Sequence, residues 1–135
     1  RTKEEADHSL QYMVSVAALD GQVMPEQYEP ERIVRDDVQS QLRRITVVPD
    51  PGLSRRFPDE HACRLTVTLK DGRTVTKEKS DYEGFHTRPM SWAKVEEKFH
   101  RLAEDAVDVF RREEIVKAVR HLDGISVKDL MELLA

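Results

Sequence analysis

Apolar positions in the first twenty residues recur at helical spacing, with Ala6, Leu10, Met13, Val14 and Ala17 along one stripe. Thr2 and Glu5 have the T-x-x-E spacing of a capping box, and Asp20-Gly21 offers a stop with glycine in the left-handed position after the last turn. The spacing therefore predicts a helix over Lys3 to Leu19. Its opposite side holds His8, Gln11, Tyr12, Ser15 and Leu19, and no Lys, Arg, Asp or Glu occurs from His8 to Leu19. A helix without a charged face is covered on more than one side. The second cover is expected to lie outside this chain.

Pro25 and Pro30 make residues 22–33 an irregular connection with one short helical turn. Asp36 or Asp37 is placed to cap a short helix ending near Leu42, with Val34, Val38 and Leu42 four residues apart. Ile45 to Val48 reads as a β-branched strand closed by Pro49-Asp50-Pro51-Gly52.

The strongest β pattern is ACRLTVTLKDGRTVTKEK, in which Cys63, Leu65, Val67 and Leu69 alternate with Arg64, Thr66, Thr68 and Lys70. A two-residue Asp71-Gly72 loop would pair Thr68 with Val75 and turn Val75 to the wet face. A three-residue Lys70-Asp71-Gly72 loop with Gly72 left-handed pairs Val67 with Val75 and Thr68 with Thr74, so both valines share the apolar face. The second register is expected.

Residues 80–91 lack periodicity and carry Gly84 and Pro89, which makes them a loop. Ser91 caps a helix with Val95, Phe99, Leu102, Ala103 and Ala106 on one stripe. Shorter helices follow, from about Arg111 to Leu122, ended by Gly124, and from Ser126 to Leu133, capped by Ser126. The expected fold class is α+β: a small, mainly antiparallel sheet with helices on one side, then a C-terminal helical tail.

Composition narrows the function classes. The 135 residues suffice for one domain or one domain with an appendage. Charged residues make up 36% and the net charge is −4, which argues against a nucleic-acid binder. The pairs Arg43-Arg44, Arg55-Arg56 and Arg111-Arg112 read as solvated surface. No apolar run approaches the ~20 residues that span a bilayer, so no membrane association is expected. Cys63 is the single cysteine, which excludes an internal disulfide and suits a reducing cytoplasm. A chain opening at Arg1 without a signal-peptide pattern or an initiator Met is expected to be a piece of something longer.

Three strings carry a resemblance. ADHSLQYMVSVAALDGQV is similar to a block in which a His-Ser pair precedes an aromatic residue and a run ending in Leu-Asp-Gly. LTVTLKDGRTVT resembles a hairpin, and GFHTRPMSWAKVEEKF resembles a Gly-loop-Pro-Leu-Ser block ending in Lys-Phe, here with Met90 in place of Leu. Together and in this order they resemble the MmgE/PrpD family of 2-methylcitrate dehydratases and cis-aconitate decarboxylases. The resemblance implies a lyase acting on a di- or tricarboxylate without a metal or organic cofactor, usually as a homodimer. Residues 1–85 would be the later part of an α/β lid domain. Residues 86–135 would be a helical tail that packs on an N-terminal helical domain absent from this chain, and most acid/base groups would lie in that absent half. The fragment alone is therefore expected to be inactive.

Water elimination beside a carboxylate needs an acid/base pair, and the carboxylates need cations. His8 is the leading catalytic candidate, on the uncharged helix face near Tyr12, where imidazole can donate to a carboxylate or pass a proton. The alternative is a histidine bonded to neighbouring backbone or to Asp7. Ser9 and Tyr12 are weaker substrate-binding candidates, and a serine in a first helical turn most often satisfies backbone. Arg88, beside His86 in the Gly84–Pro89 loop, has the fork that clamps a carboxylate, or it is an exposed loop charge. His61-x-Cys63 offers two ligand types on one strand face without the further ligands zinc requires, so no metal site is expected. Trp92, Phe99 and Phe110 read as core or interface aromatics. A second functional class stays open: a non-catalytic interaction module that docks through the uncharged face of the first helix.

Overall fold

The computed structural model describes residues 2–135, which form two compact units, one ending at Arg55 and one beginning at Arg56. The fold is α+β, with eight α-helices and one two-stranded antiparallel sheet among the described residues, and helices at the C-terminus.

In the first unit the expected single opening helix is two. α1 spans Lys3–Asp7 and α2 spans Leu10–Asp20. The capping box at Thr2 and Glu5 is formed in both directions. The break falls at His8-Ser9 because Ser9 adopts an extended backbone and its hydroxyl accepts the Tyr12 N–H, which starts a new helix. Gly21 ends α2 at φ +73°.

The most buried residues of α2 lie off the expected apolar stripe. Tyr12, Ser15 and Val16 are buried, whereas Leu10 is 55% exposed and Ala17 is exposed. The cover comes from this chain. A 3-10 turn over Pro25–Tyr28, α3 over Pro30–Ile33 and α4 over Asp36–Leu42 bring Ile33 and Val38 against Ala6, Tyr12 and Val16, with Tyr28 and Leu42 packed at the edge. Val38 is fully buried, which at ordinary transfer values stabilises the unit by about 1.5–3 kcal/mol. The uncharged side is thus the core side, and the interaction-module reading loses its docking surface. Ser15 pays no penalty there, since its hydroxyl donates to the Gln11 carbonyl one turn back. Of the apolar stripe, Ala6 joins the core, Met13 and Val14 are half-buried, and Leu10 and Ala17 stay exposed.

Neither Asp36 nor Asp37 caps α4; Arg35 holds the N-cap position and the two acids occupy the first turn. Ile45 to Val48 is irregular and belongs to no ladder, because β-branched residues without a strand to pair with do not form one. Asp50 instead caps a one-turn α5 over Pro51–Ser54.

In the second unit β1 (Cys63–Thr68) and β2 (Thr74–Lys79) pair with Val67 opposite Val75 and Thr68 opposite Thr74, the register expected from the three-residue loop. Gly72 sits at φ +86°, and Leu69 and Arg73 close the loop through a backbone bond of 2.8 Å. All twelve strand residues are exposed, so no core lies under either face. α6 (Trp92–Ala103), α7 (Val109–Arg120) and α8 (Val127–Leu134) start at side-chain caps on Ser91, Asp108 and Ser126. Arg43, Arg44 and Arg55 are exposed, as expected, but the other paired arginines are more than solvated surface. Arg111 donates to the carbonyls of Glu132 and Leu133 at the end of α8, Arg112 donates to His100, and Arg56 bridges Glu60 and Glu78. Only Phe85 and Ile115 are buried hydrophobic residues of this unit. No helix among the described residues is long and apolar enough to cross a membrane.

Candidate functional site

The start of α2 and the elements that cover it enclose an open pocket of about 230 Å³, lined by Thr2, Glu5, Ala6, Ser9, Tyr12, Ile33, Gln39 and Leu42. Ser9 and Tyr12 therefore meet at one depression. Most of the polar atoms around it are already engaged. Ser9 Oγ accepts the Tyr12 N–H and lies 3.4 Å from Gln11 Oε1, and Gln39 Nε2 donates to the Ile33 carbonyl. The Tyr12 hydroxyl donates to the carbonyl of the buried Gln27, so its proton is already spent on the fold. Burial pushes the Tyr12 phenol above its ordinary pKa, which keeps it a donor.

Glu5 is the one charged residue of the lining, and no cation lines the pocket among the described residues. A carboxylate entering it would face an anion. Cations held by other residues are needed before the pocket can hold a di- or tricarboxylate.

His8 does not line the pocket. It is exposed at the C-cap of α1, with Nδ1 2.9 Å from the Glu4 carbonyl. A carbonyl only accepts, so Nδ1 carries a proton in this bond. That arrangement is bonding to neighbouring backbone, one of the two readings of this residue. It also fixes the ring and leaves Nε2 as the nitrogen available for a further contact.

The C-terminal end of α2 is tied to α3 and α4 by charge. Arg32 makes a fork to both oxygens of Asp20, at 2.6 and 2.9 Å, and reaches Asp37 at 2.8 Å. The bond to Arg32 holds the Asp20 carboxyl below its ordinary range. Burial works against the Asp37 carboxylate, yet the bonds from Arg32 and the Val38 N–H leave its pKa lowered as well. Gln27 joins this network through Asp20. Nothing in the spacing of the sequence singled out Gln27, Gln39 or Arg32; the signal was the Val38, Leu42 stripe that packs α4 over α2.

Arg88 belongs to the second unit. It is 44% exposed by side chain and lies 3.5 Å from Asp81, so its fork is only loosely occupied. The GFHTR loop folds as a tight turn in which Gly84 N–H donates to the Arg88 carbonyl and Arg88 N–H to that of Phe85. Gly84 supplies φ +99° for that path. His61 packs its ring among Phe57, Tyr82 and Phe85, at 5.1 to 5.7 Å, and does not join Cys63 in a ligand set. No group of three or more His, Cys, Asp or Glu side chains among the described residues is placed to hold a metal ion. Trp92 lies under the Arg120 guanidinium at 5.1 Å, and Phe110 is 81% exposed.

Comparison with known proteins adds what this geometry lacks. Residues 1–123 match the MmgE/PrpD C-terminal domain. The chain is 29% identical over 124 residues to the human cis-aconitate decarboxylase, covering 92% of this chain and 26% of that protein. The mouse cis-aconitate decarboxylase is 26% identical over the same length. A 2-methylcitrate dehydratase of Cupriavidus necator is 40% identical over 89 residues, covering 62% of this chain and 18% of that protein. The chain thus spans about a quarter or less of the length of these relatives.

Proposed function

This chain belongs to the MmgE/PrpD family, as its C-terminal domain, and on that premise we propose that it is the C-terminal part of a cofactor-independent lyase acting on a di- or tricarboxylate. The reaction is dehydration of a 2-methylcitrate-like hydroxy acid or decarboxylation of a cis-aconitate-like acid, with acid/base groups shared between this chain and the rest of the polypeptide. The observation that carries the reading is the likeness over 92% of the chain to enzymes named for these acids. The geometry agrees with a shared site, since the pocket beside Ser9 and Tyr12 offers no cation of its own among the described residues.

The division of labour follows. Residues 1–85 are the later part of a lid and 86–135 a returning tail. The exposed Leu10 and Ala17 of α2, with half-buried Val14 between them, carry no charge and belong to the surface that an N-terminal helical domain covers. His8, exposed at the junction of α1 and α2 with Nδ1 held by the Glu4 carbonyl, serves as an acid/base or carboxylate-contacting group. Arg88 is a weaker carboxylate clamp. The working protein is a cytoplasmic homodimer. The test is turnover by the full-length polypeptide of 2-methylcitrate and of cis-aconitate, with His8→Gln alongside. The reading requires measurable conversion of one acid and a loss of about 10²-fold or more in kcat when the His8 proton carrier is removed.

A further inference from the structure

We infer that the apolar face of the β1–β2 hairpin seats an amphipathic helix edged with carboxylates, supplied by the remainder of the same polypeptide; the source of the helix rests on the lyase reading above.

The hairpin divides its residues by chemistry. Directly opposed residues of an antiparallel pair point to one side. One face therefore carries Arg64 with Glu78, Thr66 with Thr76 and Thr68 with Thr74. That face satisfies itself: the Arg64 and Arg56 guanidinia both bind Glu78, and the Thr66 and Thr76 hydroxyls lie 3.1 Å apart. It has what a solvated surface needs.

The other face carries Leu65 and Val67 of β1 opposite Lys77 and Val75 of β2, with Lys79 opposite Cys63, and Leu69 continues the β1 row past the last pair. The four apolar residues are 38–56% exposed. A hairpin alone in water is marginal, and three strands or a packed helix are needed to hold one. The charges on this face have one sign. Glu78 points to the wet face, and Asp71 in the loop is taken by Arg73. Lys77 and Lys79 make no ion pair among the described residues, and the face holds no carboxylate to meet them. Its complement is an apolar ridge with Asp or Glu along one edge. A helix fits better than a strand, because the exposed feature is the face of the sheet and helices pack on sheet faces.

The test is lysine acylation of the full-length protein under native conditions with N-hydroxysuccinimide acetate, read by mass spectrometry, with Lys70 in the hairpin loop as the exposed reference. Lys77 and Lys79 are expected to react about tenfold more slowly than Lys70. Carbodiimide coupling is expected to join either lysine to an Asp or Glu outside these 135 residues, within one polypeptide. Equal acylation rates would overturn the inference. So would coupling only between isotopically distinct copies, which would make the occupant a second subunit. Protection that arises only with phosphatidylserine vesicles would make the occupant a lipid surface and would equally overturn it. Turnover on the same preparation separates the two readings. An active lyase with freely reactive lysines removes the helix seat alone, and an inactive protein with protected lysines removes the assigned reaction alone.

Discussion

The Tyr12 hydroxyl donates to the backbone carbonyl of Gln27, fifteen residues on, and so ties α2 to the 3-10 turn that covers it. A residue that reads in sequence as a substrate contact spends its polar atom on the fold. Tyr12→Phe leaves the Gln27 carbonyl buried without that donor, a loss of about 1–3 kcal/mol. Urea unfolding of the chain, followed by circular dichroism, reads this as a lower midpoint with unchanged slope. In the full-length protein the same variant should retain its KM, because the phenol proton is committed to the Gln27 carbonyl.

The Asp20–Arg32–Asp37 network sets an acid dependence. Both carboxyls are depressed in the folded state relative to their ordinary value of 3.8. A depressed carboxyl adds stability that is complete above its unfolded pKa and is lost as pH falls through the folded one. The first unit is therefore expected to hold its stability down to about pH 5 and to lose it steadily below about pH 4. Arg32→Gln should flatten this dependence. Urea midpoints measured across that range, for both proteins, give the comparison.

Ser9 separates a cap from a contact. Ser9→Ala removes the hydroxyl that accepts the Tyr12 N–H and should cost about 1 kcal/mol of stability, whereas Ser9→Asp keeps the cap and the stability. If Ser9 acts only on the backbone, Ser9→Asp also preserves turnover in the full-length enzyme. If it touches substrate, the added carboxylate repels it and KM rises.

Gly72 holds the hairpin register. At φ +86° an alanine is strained by about 1–2 kcal/mol even though nothing lies within 4 Å of an added Cβ. Gly72→Ala is expected to weaken the Thr68–Thr74 α-proton contact in NMR spectra, and Gly72→Asn, which tolerates the left-handed region better, to weaken it less.

Local chemistry was legible in the sequence where it is decided locally. The capping box at Thr2, the stop at Gly21, the caps at Ser91 and Ser126 and the Val67–Val75 register each depend on a few neighbouring residues. The face that α2 buries was not legible, because Tyr12 and Val16 become core residues only through partners on other elements, the Gln27 carbonyl for Tyr12 and the Ile33 and Val38 cluster for both. Ile45 to Val48 has β-branched residues, but a strand exists only with a partner. The break at His8 follows from one serine doing the work of a cap in what reads as a continuous stripe. Of the candidate site, Ser9 and Tyr12 do meet at one pocket, while the cations that would bind carboxylates there are not written in the lining residues.

The most direct test expresses this chain and the preceding part of its polypeptide separately, then assays each alone and mixed, with 2-methylcitrate and with cis-aconitate. The account predicts no turnover by the 135 residues alone and turnover of one of the two acids on mixing. Turnover by the 135 residues alone, or a mixed and folded complex inert toward both acids, would contradict it.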